Sequence, residues 1–199
     1  VTDGRSKLAG RSAHAMFVVL LMLALGGAGL LAGIGVLDGM QLVAYAASDD
    51  AVELMERAEA AFAAKRTYAD GLAAGELFRA VLEADPGNVA AMVRLAELAY
   101  WLGEVIEDGP ALPHLEEGLE YATRATEIDD EHANAHYWRG VLMGRIGEER
   151  GILQSLFMVP DIMRAVERTL ELDPEHGGAH LLASQVYRKA PGWPLSIGN

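Results

Sequence analysis

Two pairs of histidines, His132 with His136 and His176 with His180, have the type and spacing that most suggest chemistry. Members of each pair are four residues apart, which puts both imidazoles on one face of a helix, as in many metal sites. The pairs are themselves 44 residues apart, so stacked repeats would bring them near each other. The intervening Ala133-Asn134-Ala135 lacks the glutamate of an H-E-x-x-H zinc motif. We therefore expect no bound metal and no cofactor.

The other candidates for chemistry are weaker. Glu116-Glu117 and Glu148-Glu149 are adjacent carboxylates, and neighbours on a helix diverge by about 100°, so neither pair is an acid/base dyad. The chain has no cysteine, which excludes thiol nucleophiles, disulfides and zinc ribbons. Ser155 lacks the G-x-S-x-G frame of a nucleophile elbow, and no glycine-rich phosphate loop follows a strand. With no nucleophile and base in view, the expected class is a binding protein and not an enzyme; the alternatives are a membrane-anchored assembly scaffold and, behind it, a metal-dependent enzyme using the paired histidines. The residues suited to binding are Tyr100, Trp101, Tyr137, Arg145, Gln185 and Arg188. Tyr, Trp and Arg are the side chains enriched at recognition hot spots. Arg145 and Arg188 could each grip a carboxylate through two parallel hydrogen bonds. The alternative reading places Tyr100, Trp101 and Trp138 in the core.

Composition bounds what such residues could bind. Residues 48–199 hold 13 basic and 27 acidic residues, a net charge of −14. A field of that sign repels phosphate backbones, so nucleic acid is not an expected partner. Hydrophobic residues make up 51% of the chain and the mean hydropathy is +0.14, but the excess lies near the start. Arg5, Lys7 and Arg11 precede an uncharged run of 22 residues, Met16 to Leu37, and Ala44-Tyr45-Ala46 has the small-x-small form of a cleavage site. Residues 1–47 therefore read as a signal peptide, with an uncleaved signal anchor as the alternative, since about 20 apolar residues span a bilayer. Either way residues 48–199 would be exported, to the periplasm in a bacterium, with membrane attachment only if the segment is retained.

The elements that must position the candidates are helical and repeated. Asp85, Asp129 and Asp173 recur at intervals of 44, each ending one apolar-periodic stretch and opening the next, with Pro86 and Pro174 as stops. Helices are expected near 51–64, 70–84, 88–103, 112–128, 133–149, 160–172 and 177–190. The apolar stretch from Arg150 to Val159 would be an insertion, either covering the core or walling a ligand cleft. First helices would line an inner surface with Val93, Glu97, Tyr100 and Trp101, then Asn134, Tyr137, Val141 and Arg145, then Leu181, Gln185 and Arg188.

The pattern resembles the tetratricopeptide repeat. Ala96, Gly140 and Ser184 fall at its small crossing position, Gly103 and Gly147 where its first helix ends, and Ala74, Phe78 and Ala125 on its second helix. Arg139 departs from it, standing where Leu95 does one repeat earlier, and the period is longer than the usual one of about 34. The resemblance covers about residues 50–190 and implies an all-α fold, a TPR-like α-α superhelix or solenoid of helical hairpins. It also implies that His136 and His180 pack as large side chains between helices, while His132 and His176 stand at helix starts. A last helix without a partner would imply that the chain continues past residue 199 or meets another subunit.

A second resemblance rests on His136-Tyr137-Trp138-Arg139-Gly140, the apolar stretch before Pro160, Leu170-Glu171-Leu172-Asp173-Pro174 with Gly177-Gly178-Ala179-His180, and Pro191-Gly192-Trp193-Pro194. Together these are similar to the T-component family of TRAP transporters. That implies a periplasmic accessory to a solute transporter that associates with a solute-binding protein and often with itself as a homo-oligomer. Members are commonly lipoproteins, and this chain has no cysteine to lipidate.

Overall fold

In the computed structural model, residues 50–189 are described, and they contain seven α-helices and no strand. The proposed signal or anchor at 1–47 and the segment 190–199 lie outside the described residues. The helices are α1 (50–64), α2 (Tyr68–Ala84), α3 (Val89–Val105), α4 (Leu112–Ile128), α5 (Ala133–Arg150), α6 (Ile152–Leu172) and α7 (Gly177–Lys189). None among the described residues is long and apolar enough to cross a membrane.

Local chemistry sets these boundaries. The second helix starts at Tyr68, ahead of the expected position, because Thr67 and Asp70 form a reciprocal capping box. The Asp70 amide donates to the Thr67 hydroxyl at 3.2 Å and the Thr67 amide donates to the Asp70 carboxylate at 2.9 Å. The larger difference is at α6, which starts at Ile152 and runs through Pro160. Sequence alone suggested an insertion ended by that proline. Pro160 removes one intrahelical bond, but it is exposed, so its ring meets no packed neighbour. Gly151, at φ 95°, is the only residue between α5 and α6, and this positive φ favours glycine. The apolar stretch therefore adds turns to α6.

Each helix from α2 onward packs on the next, and α3 meets α5 as α5 meets α7. Fully buried Phe78, Met92, Leu98, Leu115, Leu142 and Ile146 fill the successive interfaces. Small residues let the helices close up. A Cβ on Gly118 would lie 2.5 Å from the Cβ of Ala99, and one on Gly147 would lie 3.1 Å from the backbone of Ser155. Ala96 and Gly140 sit at buried crossings, whereas Ser184 is exposed and donates to the His180 carbonyl.

The 44-residue period is written into the hydrogen bonds. At each corner an aspartate side chain accepts the amide two residues on: Gly87 to Asp85 at 3.2 Å, Glu131 to Asp129 at 3.0 Å and Glu175 to Asp173 at 3.2 Å. Arg124 donates to the Pro86 carbonyl, and Arg168, one period later, to the Asp130 carbonyl. The histidines belong to these corners. Nε2 of His136 lies 2.9 Å from the Asp130 carbonyl, and Nε2 of His180 lies 2.9 Å from that of Pro174. His176 accepts the Ala179 amide at Nδ1, acting as a helix cap. Among the described residues, no group of three or more His, Asp or Glu side chains is placed to hold a metal ion.

Candidate interaction groove

Helices α3, α5 and α7 contribute one side of a groove of about 700 Å³, and the first half of α6 contributes the other. The α6 wall consists of Ile152, Leu156, Val159 and Ile162; opposite stand Tyr100, Tyr137 and Trp138. The aromatic side is a connected cluster. Tyr100 and Trp138 have ring centroids 5.8 Å apart, Tyr137 and Trp138 5.2 Å, and Tyr137 and His176 4.6 Å. Tyr137 is also wedged at Gly178, where a Cβ would lie 2.7 Å from the ring. Burial pushes both tyrosine hydroxyls above their ordinary range, helped by Glu104 at Tyr100 and by Tyr100 and Glu97 at Tyr137.

The opening has a specific origin. Gly144 lines the groove and stands one 44-residue period after Tyr100. A Cβ placed there would meet nothing within 4 Å. A missing side chain at this register leaves the space unfilled. The sequence carried this signal in the pairing of Tyr100 with Gly144, and inspecting each repeat separately missed it.

One end of the groove is an ion ladder, also repeated. Arg145 donates to Glu104 at 2.6 Å and to Glu148 at 2.6 Å, with Glu149 at 3.7 Å. Lys189 pairs with Glu148, one period after the Arg145–Glu104 pair. Burial works against the charge on Arg145, but the Glu148 hydrogen bond and the attraction of Glu104 and Glu148 outweigh it and hold its pKa above the arginine range. Burial likewise opposes the Glu148 charge; hydrogen bonds from Lys189 and Arg145 overcome it and hold that carboxyl below the ordinary range. The guanidinium expected to await a ligand carboxylate therefore already holds two carboxylates of its own chain.

Beyond Tyr137 and Trp138, which line both spaces, lies a second hollow of about 400 Å³ containing Glu59, Arg94 and Glu97. Arg94 donates to Glu59 at 2.7 Å and to Glu97 at 2.8 Å.

Of the residues singled out from sequence, Tyr100, Tyr137, Arg145 and Gln185 are brought together in the groove. Trp101 is not. It packs beside Ala74, Leu98 and Leu102, with its ring 2.5 Å from where a Gly71 Cβ would stand, so it fills the joint between α2 and α3. Arg188 is exposed and outside the groove lining. Lys189, on α7, completes the groove without having been marked; Leu156 and Val159, within the apolar stretch foreseen as a possible cleft wall, face it because α6 continues through Pro160.

Comparison with known proteins changes the family assignment. A family model described as regulator of microtubule dynamics protein 1-3 matches residues 52–185. A search of curated proteins finds no match. The resemblance to the TRAP transporter T-component is overturned by the family match. Of the short motifs behind it, Gly140 sits at a helix crossing and Asp173 and Pro174 at a corner, while Pro191-Gly192-Trp193-Pro194 lies outside the described residues. The match is also not to a tetratricopeptide-repeat model, so it does not confirm that resemblance.

Proposed function

Since the chain belongs to the regulator of microtubule dynamics protein 1-3 family, we propose that its helical domain works by holding a segment of a partner protein in the groove, without catalysis. The observation that carries this reading is the empty register at Gly144, which opens about 700 Å³ between an aromatic side and an apolar wall. A space of this size is in the range of binding clefts. Large apolar side chains left in water at its edge support a protein partner. Ile152 is 79% exposed and Leu181 60%, both lining the groove, and exposed apolar side chains at a cleft mark interaction surfaces. In this reading the hairpins form a short helical-repeat solenoid whose first helices present the binding face. The family description names microtubule dynamics; the part carried to this chain is the helical interaction domain.

A photo-crosslinking amino acid in place of Leu181, exposed at the edge of the groove, tests the proposal in cells, with the same residue at exposed Glu83 as control. A discrete protein adduct from position 181 and not from 83 is expected. Equal adducts from both positions, or none from 181, would exclude the groove as the docking surface.

The uncharged run Met16–Leu37 supports a companion proposal, that the domain is exported or held at a membrane through residues 1–47. Intact mass of the mature protein tests it. A chain beginning near Ala47 would rule out a retained anchor.

A further inference from the structure

The ion pairs around the groove do not balance, and this imbalance defines the kind of segment the groove suits. At one end Glu104, Glu148 and Glu149 face two cations, Arg145 and Lys189. At the other, Arg94 pairs with both Glu59 and Glu97, and Lys65 brings a second cation within the field of Glu97. The first cluster thus carries one carboxylate more than its cations, and the second is balanced. Between them lie Tyr100, Tyr137 and Trp138, with the latter two lining both spaces. An aromatic face beside a negative cluster attracts a cation through its quadrupole and through the surrounding field. The wider domain adds to this bias, since the whole chain carries a net charge of −13. Arg94, Arg145 and Lys189 each already hold a carboxylate of the chain.

We propose that the groove takes a basic amphipathic segment of a partner protein. In this arrangement a Lys or Arg of the partner lies over Tyr100, Tyr137 and Trp138, beside the surplus carboxylate of the Glu104, Glu148 and Glu149 cluster. Its apolar residues lie on the α6 wall of Leu156, Val159 and Ile162. This deepens the groove reading above and depends on it, so the two must be able to fail separately.

The test uses the full chain and three short synthetic helical peptides: one of Leu and Lys, one with every Lys replaced by Glu, and one with every Leu replaced by Ser. Fluorescence anisotropy should show binding of the Leu/Lys peptide, with each of the others weaker by about tenfold or more. Glu97→Gln combined with Glu104→Gln should weaken the Leu/Lys peptide by about tenfold, and Gly144→Tyr should abolish binding. Glu83→Gln combined with Glu127→Gln removes the same charge from exposed positions outside the groove and should change little. If this outer pair weakens binding as much as the inner pair, the attraction is a diffuse field and the cation site is overturned. The same holds if the Leu/Glu peptide binds as well as the Leu/Lys one. If Gly144→Tyr leaves binding unchanged, the groove itself is wrong. A groove filled by a second copy would appear as a dimer in light scattering that Gly144→Tyr dissolves, and would overturn the basic-peptide occupant. Thermal melts confirm that each variant is folded. Tyr137→Leu adds a check on the aromatic face, and the paired glutamine variant decides the question if Tyr137→Leu does not fold.

Discussion

Glycine has opposite roles at two positions one helix apart. Gly118 is where α4 touches α3, and a methyl group there would lie 2.5 Å from the Ala99 Cβ and 3.2 Å from Leu142. Neither α3 nor α5 can retreat without opening the core, so Gly118→Ala should lower unfolding stability by about 1–3 kcal/mol. Gly144 is helical too, but its space is empty. Gly144→Ala should raise stability by about 0.5–1 kcal/mol, since alanine restricts the unfolded chain and meets no neighbour. Urea denaturation of both variants checks the contrast. Equal signs for the two would mean that the close approach at Gly118 or the opening at Gly144 is misplaced.

The corners between helices are built to one plan, with one imperfect copy. Asn88 caps α3 by accepting the Ala91 amide at 3.0 Å, and His176 accepts the Ala179 amide. His132 holds the same place before α5 but makes no cap bond, and its Nδ1 is buried without a partner. A buried polar atom left unpaired costs free energy, and a side-chain cap contributes about 1 kcal/mol. His132→Asn, copying the first corner, should therefore stabilise the domain by about 1 kcal/mol, read as a higher urea midpoint at unchanged slope. A neutral or destabilising result would show that His132 contributes more through packing than its missing bond costs. At the same scale, α6 shows how a proline signal misleads. Pro160 ends a helix only when the lost bond is not outweighed, and here Val159 and Ile162 on either side are buried, so packing carries the helix through.

Across the whole domain the charge pattern sets a pH dependence. Hydrogen bonds from Lys189 and Arg145 overcome the effect of burial and hold the Glu148 carboxyl below its ordinary range; the amides of Arg66 and Thr67 do the same for Asp70. A carboxyl with a depressed folded pKa contributes stability that is present above its unfolded value of about 4. That contribution is lost as pH falls through the folded value. The thermal midpoint should hold from about pH 7 to about pH 5 and decline below about pH 4. Glu148→Gln should make the decline shallower. An identical decline in that variant would show that the Arg145 and Lys189 ladder does not stabilise the fold, as exposed ion pairs often do not.

What the sequence determined by itself was local and periodic: all-helical structure, hairpin corners every 44 residues, and the small residues at crossings. Backbone propensity, caps and apolar spacing act within a few residues, so they are legible without a fold. Four of the six binding residues named from sequence, Tyr100, Tyr137, Arg145 and Gln185, share one groove. Trp101 and Arg188 diverged because a first helix has two flanks, and only the angle at which the next hairpin docks decides which flank faces inward. The tertiary structure alone decided that Arg145 is already paired, that α6 forms the opposite wall, and that the gap at Gly144 becomes a groove. Each of these depends on side chains about one period or more apart meeting across helices, which no local preference encodes.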